Sequence, residues 1–225
     1  YQEDSGKSFC KSCSAGTKRN ASDSANTIDS CISCAAGRYS GAQADECIGC
    51  AAGKYVVLTG SGAAADCIAC TEGKYVQSTG SDAVEDCIAC GVGKYVATTG
   101  SSAASDCIAC AIGKYSAASV AAACISCQAG KYGAAEGASD EGDCDPCEAG
   151  KYQNEQAQSF CKGCTAGSKR NASDDAAAAC STCSAGQYSG AESSVCTACS
   201  GGSVTDTLGS TGGTKCTACA AGQAS

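Results

Sequence analysis

The chain contains no histidine, no methionine, one proline and two phenylalanines. Without histidine, Ser-His and Cys-His nucleophile pairs are excluded. Leu, Ile, Val and Phe together number 21 of 225 residues, too few for an ordinary core. With a formal charge of -8, such a composition by itself describes a disordered chain, because burial cannot offset the entropy of ordering. Something covalent or metallic must take the place of the core. No apolar run approaches the roughly 18 residues of a membrane span. The acidic balance argues against nucleic acid and against an anionic membrane surface. No secretory leader is recognisable, so the chain is expected to be a piece of a longer product. No phosphate loop follows a strand, and no carboxylate pair is marked for acid-base work. An enzyme and a bound cofactor are therefore not expected.

Cysteine is what the chain has in abundance, 24 residues of it. All lie in C-x-x-C pairs, which begin at Cys10, Cys31, Cys47, Cys67, Cys87, Cys107, Cys124, Cys144, Cys161, Cys180, Cys196 and Cys216. Steps between pairs run from 16 to 21 residues, whereas the gap inside a pair never changes. A glycine stands three residues after every second cysteine, from Gly16 to Gly222. Tyrosine stands five residues after it at Tyr39, Tyr55, Tyr75, Tyr95, Tyr115, Tyr132, Tyr152 and Tyr188. Ile follows the first cysteine in six units, Ile88 and Ile108 among them. A longer period is nested inside: residues 8–22, SFCKSCSAGTKRNAS, return as SFCKGCTAGSKRNAS at 159–173, a shift of 151. The chain thus reads as a tandem array of about eleven repeats across residues 1–225. The glycine suits a turn with positive φ or a close backbone approach. K-Y-V suits a short strand, and TTGSS or STGSD a turn.

Three chemistries use such pairs. In a disulfide ladder the second cysteine of one pair bonds the first of the next. That joins Cys13 to Cys31, Cys34 to Cys47, Cys50 to Cys67, Cys70 to Cys87, Cys90 to Cys107 and Cys110 to Cys124. It continues with Cys127 to Cys144, Cys147 to Cys161, Cys164 to Cys180, Cys183 to Cys196 and Cys199 to Cys216, leaving Cys10 and Cys219 without partners. A crossed pattern, first to first and second to second, uses the same residues, and sequence does not decide between them. Four-cysteine zinc sites also fit C-x2-C-x16-C-x2-C, as between Cys67 and Cys90, although an array of such sites would alternate ligand loops with linkers. A redox C-x-x-C wants one copy at a helix start, not twelve in loops.

Asn20 and Asn171 each open an N-A-S acceptor for N-linked glycan. The acidic run SDEGDCD, residues 139–145, lacks the ligand spacing of a calcium loop and reads as a solvated face. DDAAAAC, 174–180, is expected to make at most one helical turn. The repeated tyrosine is expected to pack over the cysteines.

The motif C-x-x-C-x-x-G-x-Y resembles the cysteine-rich repeats of ephrin-receptor-like and growth-factor-receptor-like extracellular proteins and the first loop of tumour-necrosis-factor-receptor modules. The resemblance implies a bond of the Cys90 to Cys107 type. Lys18, Lys169, Val204 and Ala224 stand where those repeats have tyrosine, and the further cysteines that braid receptor modules are missing. The array is also similar to C-x-x-C surface and appendage proteins of protists and algae. The fold expected is an elongated rod of small disulfide-closed, β-hairpin-like loops without a conventional core, each touching only its neighbours. The expected function is that of an extracellular or cell-surface structural protein: a filament, flagellar-hair or coat component whose partners are copies of itself, other fibre subunits and N-linked glycan. Alternatives are an adhesion or receptor-type binding module and a zinc-loaded surface antigen.

Overall fold

The computed structural model describes residues 12–20 and 31–221. Eleven disulfides follow one another along it, each from the second cysteine of a pair to the first cysteine of the next. Each closes a ring, numbered here 1 (Cys13–Cys31) to 11 (Cys199–Cys216). The bonded cysteines lie 13 to 18 residues apart in sequence, with Cα–Cα distances of 5.5 to 5.8 Å. Cys10 lies outside the described residues, and Cys219 is free.

Regular structure is limited to eleven two-stranded antiparallel hairpins and four short 3-10 turns, with no α-helix among the described residues. The hairpins explain the constant gap inside each cysteine pair. In ring 3 the strand Lys54–Tyr55 pairs with Ile68–Ala69, the two residues between Cys67 and Cys70. Those bridge residues are therefore a strand, and one inserted residue would turn its side chains to the opposite face. The same pairing sets Tyr75 against Ile88 and Tyr95 against Ile108. Variation in ring length is taken up elsewhere, in the turn before the closing cysteine. Rings 3, 4, 5 and 7 end there in the 3-10 turns Ala64–Asp66, Val84–Asp86, Ala104–Asp106 and Glu141–Asp143. The last Asp of each receives backbone N–H groups from three and four residues earlier, as Asp66 does from Ala63 and Gly62 at 3.0 and 2.8 Å. Segment 174–180 makes hydrogen-bonded turns and no helix.

Contacts divide the chain into two units, residues 1–109 with 118–123 and residues 110–117 with 124–225. Within the first, successive rings are joined through backbone. The repeat glycine donates to the residue after the next ring's tyrosine, Gly37 to Val56 at 2.7 Å and Gly53 to Val76 at 2.8 Å. The same glycine accepts from the next ring's opening cysteine, Cys50 to Gly37 and Cys70 to Gly53, both 2.8 Å. The loop tip returns a bond to the ring before it, Gly80 N–H to the Cys50 carbonyl and Gly100 N–H to that of Cys70, both 2.8 Å. The second unit repeats the pattern: Gly150 to Arg170 (2.8 Å), Cys164 to Gly150 (2.8 Å) and Glu192 to Cys164 (2.8 Å).

The expectation that a ring meets only its neighbours is corrected. A Cβ placed on Gly37 would lie 2.1 Å from the carbonyl oxygen of Gly80, two rings on, and one on Gly53 would lie 2.0 Å from that of Gly100. In the second unit Gly150 meets Glu192 and Gly167 meets Gly212 in the same way. Rings 1 to 4 and 6 to 9 are thus each gripped by the next two, because the tip of ring n+2 reaches over ring n+1 to the glycine turn of ring n. The glycine is required twice, by its φ of +85° at Gly53 and by the absence of room.

What stands in for a core is a small cluster around the ring disulfide, formed in rings 3 and 4. The disulfide packs on the residue after the tyrosine, as Cys50, Val56 and Cys67 do in ring 3, and the previous ring's Tyr39 covers them. Tyr55 covers Cys70, Val76 and Cys87 likewise. Tyr39 and Tyr55 therefore pack on the next ring's disulfide. The buried slot after it holds Ser40, Val56, Val76, Val96, Ser116, Gln153, Arg170, Ser189 and Thr205.

Candidate functional site

The residues singled out by sequence are the cysteines and two asparagines. Twenty-two cysteines close the eleven rings described above. That leaves no set of thiols for a metal, and no group of three or more His, Cys, Asp or Glu is placed to hold a cation among the described residues. The concave places are open. One lies within ring 5 and is lined by Tyr95, Thr98, Ser101, Asp106 and Ile108, the Asp106 carboxylate being held by the N–H groups of Ser102 and Ala103. Another spans rings 1 and 2 and is lined by Lys18, Ser33, Arg38 and Glu46. No helix of the described residues is long and apolar enough to cross a membrane.

Asn171 is exposed at the start of a tight turn. Its N–H donates to the Asp174 carboxylate at 2.7 Å, and its carbonyl accepts from the Asp174 N–H at 3.1 Å. The turn binds Asp174 by its backbone and leaves the Asn171 side chain outward. That bond from Asn171 is the main reason the Asp174 carboxyl titrates below its ordinary value, with Lys169, 3.6 Å away, adding to it. Asn20 is half-buried and makes an interaction of its own. The residues that complete its sequon lie outside the described residues.

The residue before each asparagine separates the two copies of the K-R-N-A-S segment. Arg170 fills the buried slot of ring 9 with its guanidinium pointing into ring 8. It donates to the carbonyls of Cys147 (2.7 Å), Glu148 (2.6 Å), Lys151, Asp174 (2.9 Å) and Asn171 (3.4 Å). Arg has five N–H donors, and this cage of carbonyls uses them in full. Arg19, the same residue 151 positions earlier, is exposed and faces Asp45 at 3.7 Å. The residues preceding its ring lie outside the described ones.

The acidic run 139–145 is occupied with the local turn. Asp143 accepts the N–H groups of Ser139 (2.6 Å) and Asp140 (3.2 Å), and the bond from Ser139 above all lowers its pKa. Glu141 pairs with Lys131 at 2.9 Å. Asp206 is lowered in the same sense, chiefly by the Thr214 hydroxyl and then by the Thr214 N–H at 2.9 Å.

Two features escaped the sequence reading. The buried slot after the tyrosine has no signature, because Val, Ser, Gln, Arg and Thr all occupy it. The two-rings-on contact is invisible because its far side is a backbone carbonyl. A faint signal existed in the second recurring glycine, Gly60, Gly80 and Gly100, which marks the tip.

The family described as tyrosine-protein kinase ephrin type A/B receptor-like matches residues 37–87 and 93–144. No curated protein matches the chain. Disulfides of this density persist in oxidising compartments. Together with receptor-like repeats they fit an extracellular module.

Proposed function

The chain is a cysteine-rich repeat protein with two ephrin-receptor-like segments, and we propose that it serves as a structural element of an extracellular filament, appendage or surface coat, without catalytic activity. The backbone interlock within each unit supports this reading. The recurring links from ring to ring use main-chain groups and each ring is closed by its own disulfide, so much of a load along the chain is borne by bonds that do not depend on side-chain identity, with side chains such as Tyr39 and Arg170 adding to them. The open concavities, within rings 5 and 7 and across rings 1 and 2, give a small substrate nothing to be enclosed by. In this reading copies of the chain assemble with each other, and Asn20 and Asn171 carry N-linked glycan, with Asn171 the better presented. Negative-stain microscopy and gold labelling of native material test it. Label along fibres or a surface layer is the expected result. Label confined to soluble, unassembled protein contradicts it.

A binding module of the adhesion or receptor type is the second reading, favoured by the receptor-like match itself. It requires a saturable ligand for the isolated, disulfide-intact chain.

A further inference from the structure

We propose that the exposed isoleucine row of the first unit is the surface through which two copies of this chain associate. This rests on the structural reading above and names its partner and its contact. Ile32, Ile48, Ile68, Ile88 and Ile108 occupy one register, the first bridge residue of five successive hairpins, and are 42% to 56% exposed. The hairpin does not need isoleucine there. In rings 7 to 11 the same strand position holds Asp145, Lys162, Ser181, Thr197 and Thr217, and the hairpins form with the same antiparallel pairing. An apolar side chain that recurs where the fold accepts Asp or Lys is a contact surface rather than a packing requirement.

The occupant follows from periodicity and charge. A partner that engages several of these isoleucines must repeat at the spacing of the rings, and a second copy does so by construction of its own array. Rings 3, 4 and 5 each also present one lysine, Lys54, Lys74 and Lys94, without an ion pair among the described residues. Each presents a carboxylate on its closing turn, Asp66, Asp86 and Asp106. Both signs recur in every one of these rings, one lysine each and at least one acid, with ring 4 adding Glu72, Asp82 and Glu85, so the surface is complementary to itself under a two-fold or a one-ring offset. A polyanion or a polycation would meet repulsion at every ring.

The test replaces Ile68, Ile88 and Ile108 together by threonine, the residue already accepted at 197 and 217. Sedimentation velocity over a concentration series compares this variant with the unaltered chain, both with disulfides intact and with matching hydrogen-exchange protection. The unaltered chain is expected to self-associate, and the variant to associate roughly 100-fold more weakly. Equal association of the two, or an unaltered chain that stays monomeric at every concentration, overturns the inference. Microscopy separates this from the structural reading. Fibres that form equally from the triple variant sink the isoleucine row and leave the filament standing. Isoleucine-dependent dimers from a protein whose native material lacks fibres do the reverse.

Discussion

Substituting Gly53 by alanine isolates the grip between a ring and the second ring after it. Gly53 has φ +85°, and a Cβ there would lie 2.0 Å from the Gly100 oxygen and 2.7 Å from its carbon. The left-handed backbone alone costs an alanine about 1–2 kcal/mol. Relief of the overlap requires the ring 5 tip to withdraw, which removes the 2.8 Å bond from Gly100 to Cys70 and loosens that from Gly53 to Val76. Two such bonds bring the total to about 3–4 kcal/mol. Gly186 is the control. Its φ is +78°, but nothing lies within 4 Å of its Cβ position, so alanine there costs only the backbone term, about 1–2 kcal/mol. A repeat array does not unfold as one unit, so the readout is hydrogen exchange, ring by ring, with disulfides intact. The difference of about 2 kcal/mol corresponds to roughly 30-fold faster exchange at the Gly100 amide and its ring 5 surroundings for Gly53→Ala. Disturbance confined to rings 3 and 4, or equal effects from the two variants, would refute the interlock.

Other expectations concern single positions. Arg170→Met leaves the carbonyls of Cys147, Glu148 and Lys151 without their buried donor and should destabilise rings 8 and 9 by about 3 kcal/mol or more, whereas Arg19→Met should stay within about 0.5 kcal/mol; local exchange rates measure both. Ala157 sits at φ +58° in the tip slot that Gly60, Gly80 and Gly100 fill elsewhere, so Ala157→Gly should gain up to about 1 kcal/mol at its own turn, and a loss of protection there would contradict the strain. Asp143, Asp174 and Asp206 have folded pKa values below 3.8, so their contribution is complete above 3.8 and is lost as pH falls through the lower folded values. Amide signals of Ser139, Asn171 and Thr214 should therefore hold at pH 5 and shift only in stronger acid; a transition centred above 3.8 would reverse the sign.

The regular positions of the repeat were legible because each obeys a one-residue rule. The glycine needs positive φ, and the x-x bridge must keep strand parity, so both recur without exception from ring to ring. Tyr39 and Tyr55 were readable as packing residues, although the partner turned out to be the following ring. What escaped depends on backbone reach rather than side-chain type. The Gly37 to Gly80 contact has a carbonyl on one side and a missing Cβ on the other, and leaves no apolar pattern. The slot of Val56, Gln153 and Arg170 is buried in these rings although Arg19 in ring 1 is exposed, and its buried occupants share no chemistry, since a valine packs there while an arginine satisfies its donors on neighbouring carbonyls. The Asp at the end of each 3-10 turn lay in view before the closing cysteine at Asp66, Asp86 and Asp106, but reads as surface charge until its hydrogen bonds to the turn are seen.

The central claim is a ladder of rings closed from each second cysteine to the next first cysteine. Native, non-reduced protein should be alkylated, digested and mapped by mass spectrometry for linked peptides. The account predicts Cys90 joined to Cys107, Cys70 to Cys87 and their equivalents through Cys199 to Cys216. Links between first cysteines, such as Cys87 to Cys107, or ring cysteines recovered alkylated with zinc released on denaturation, would contradict it.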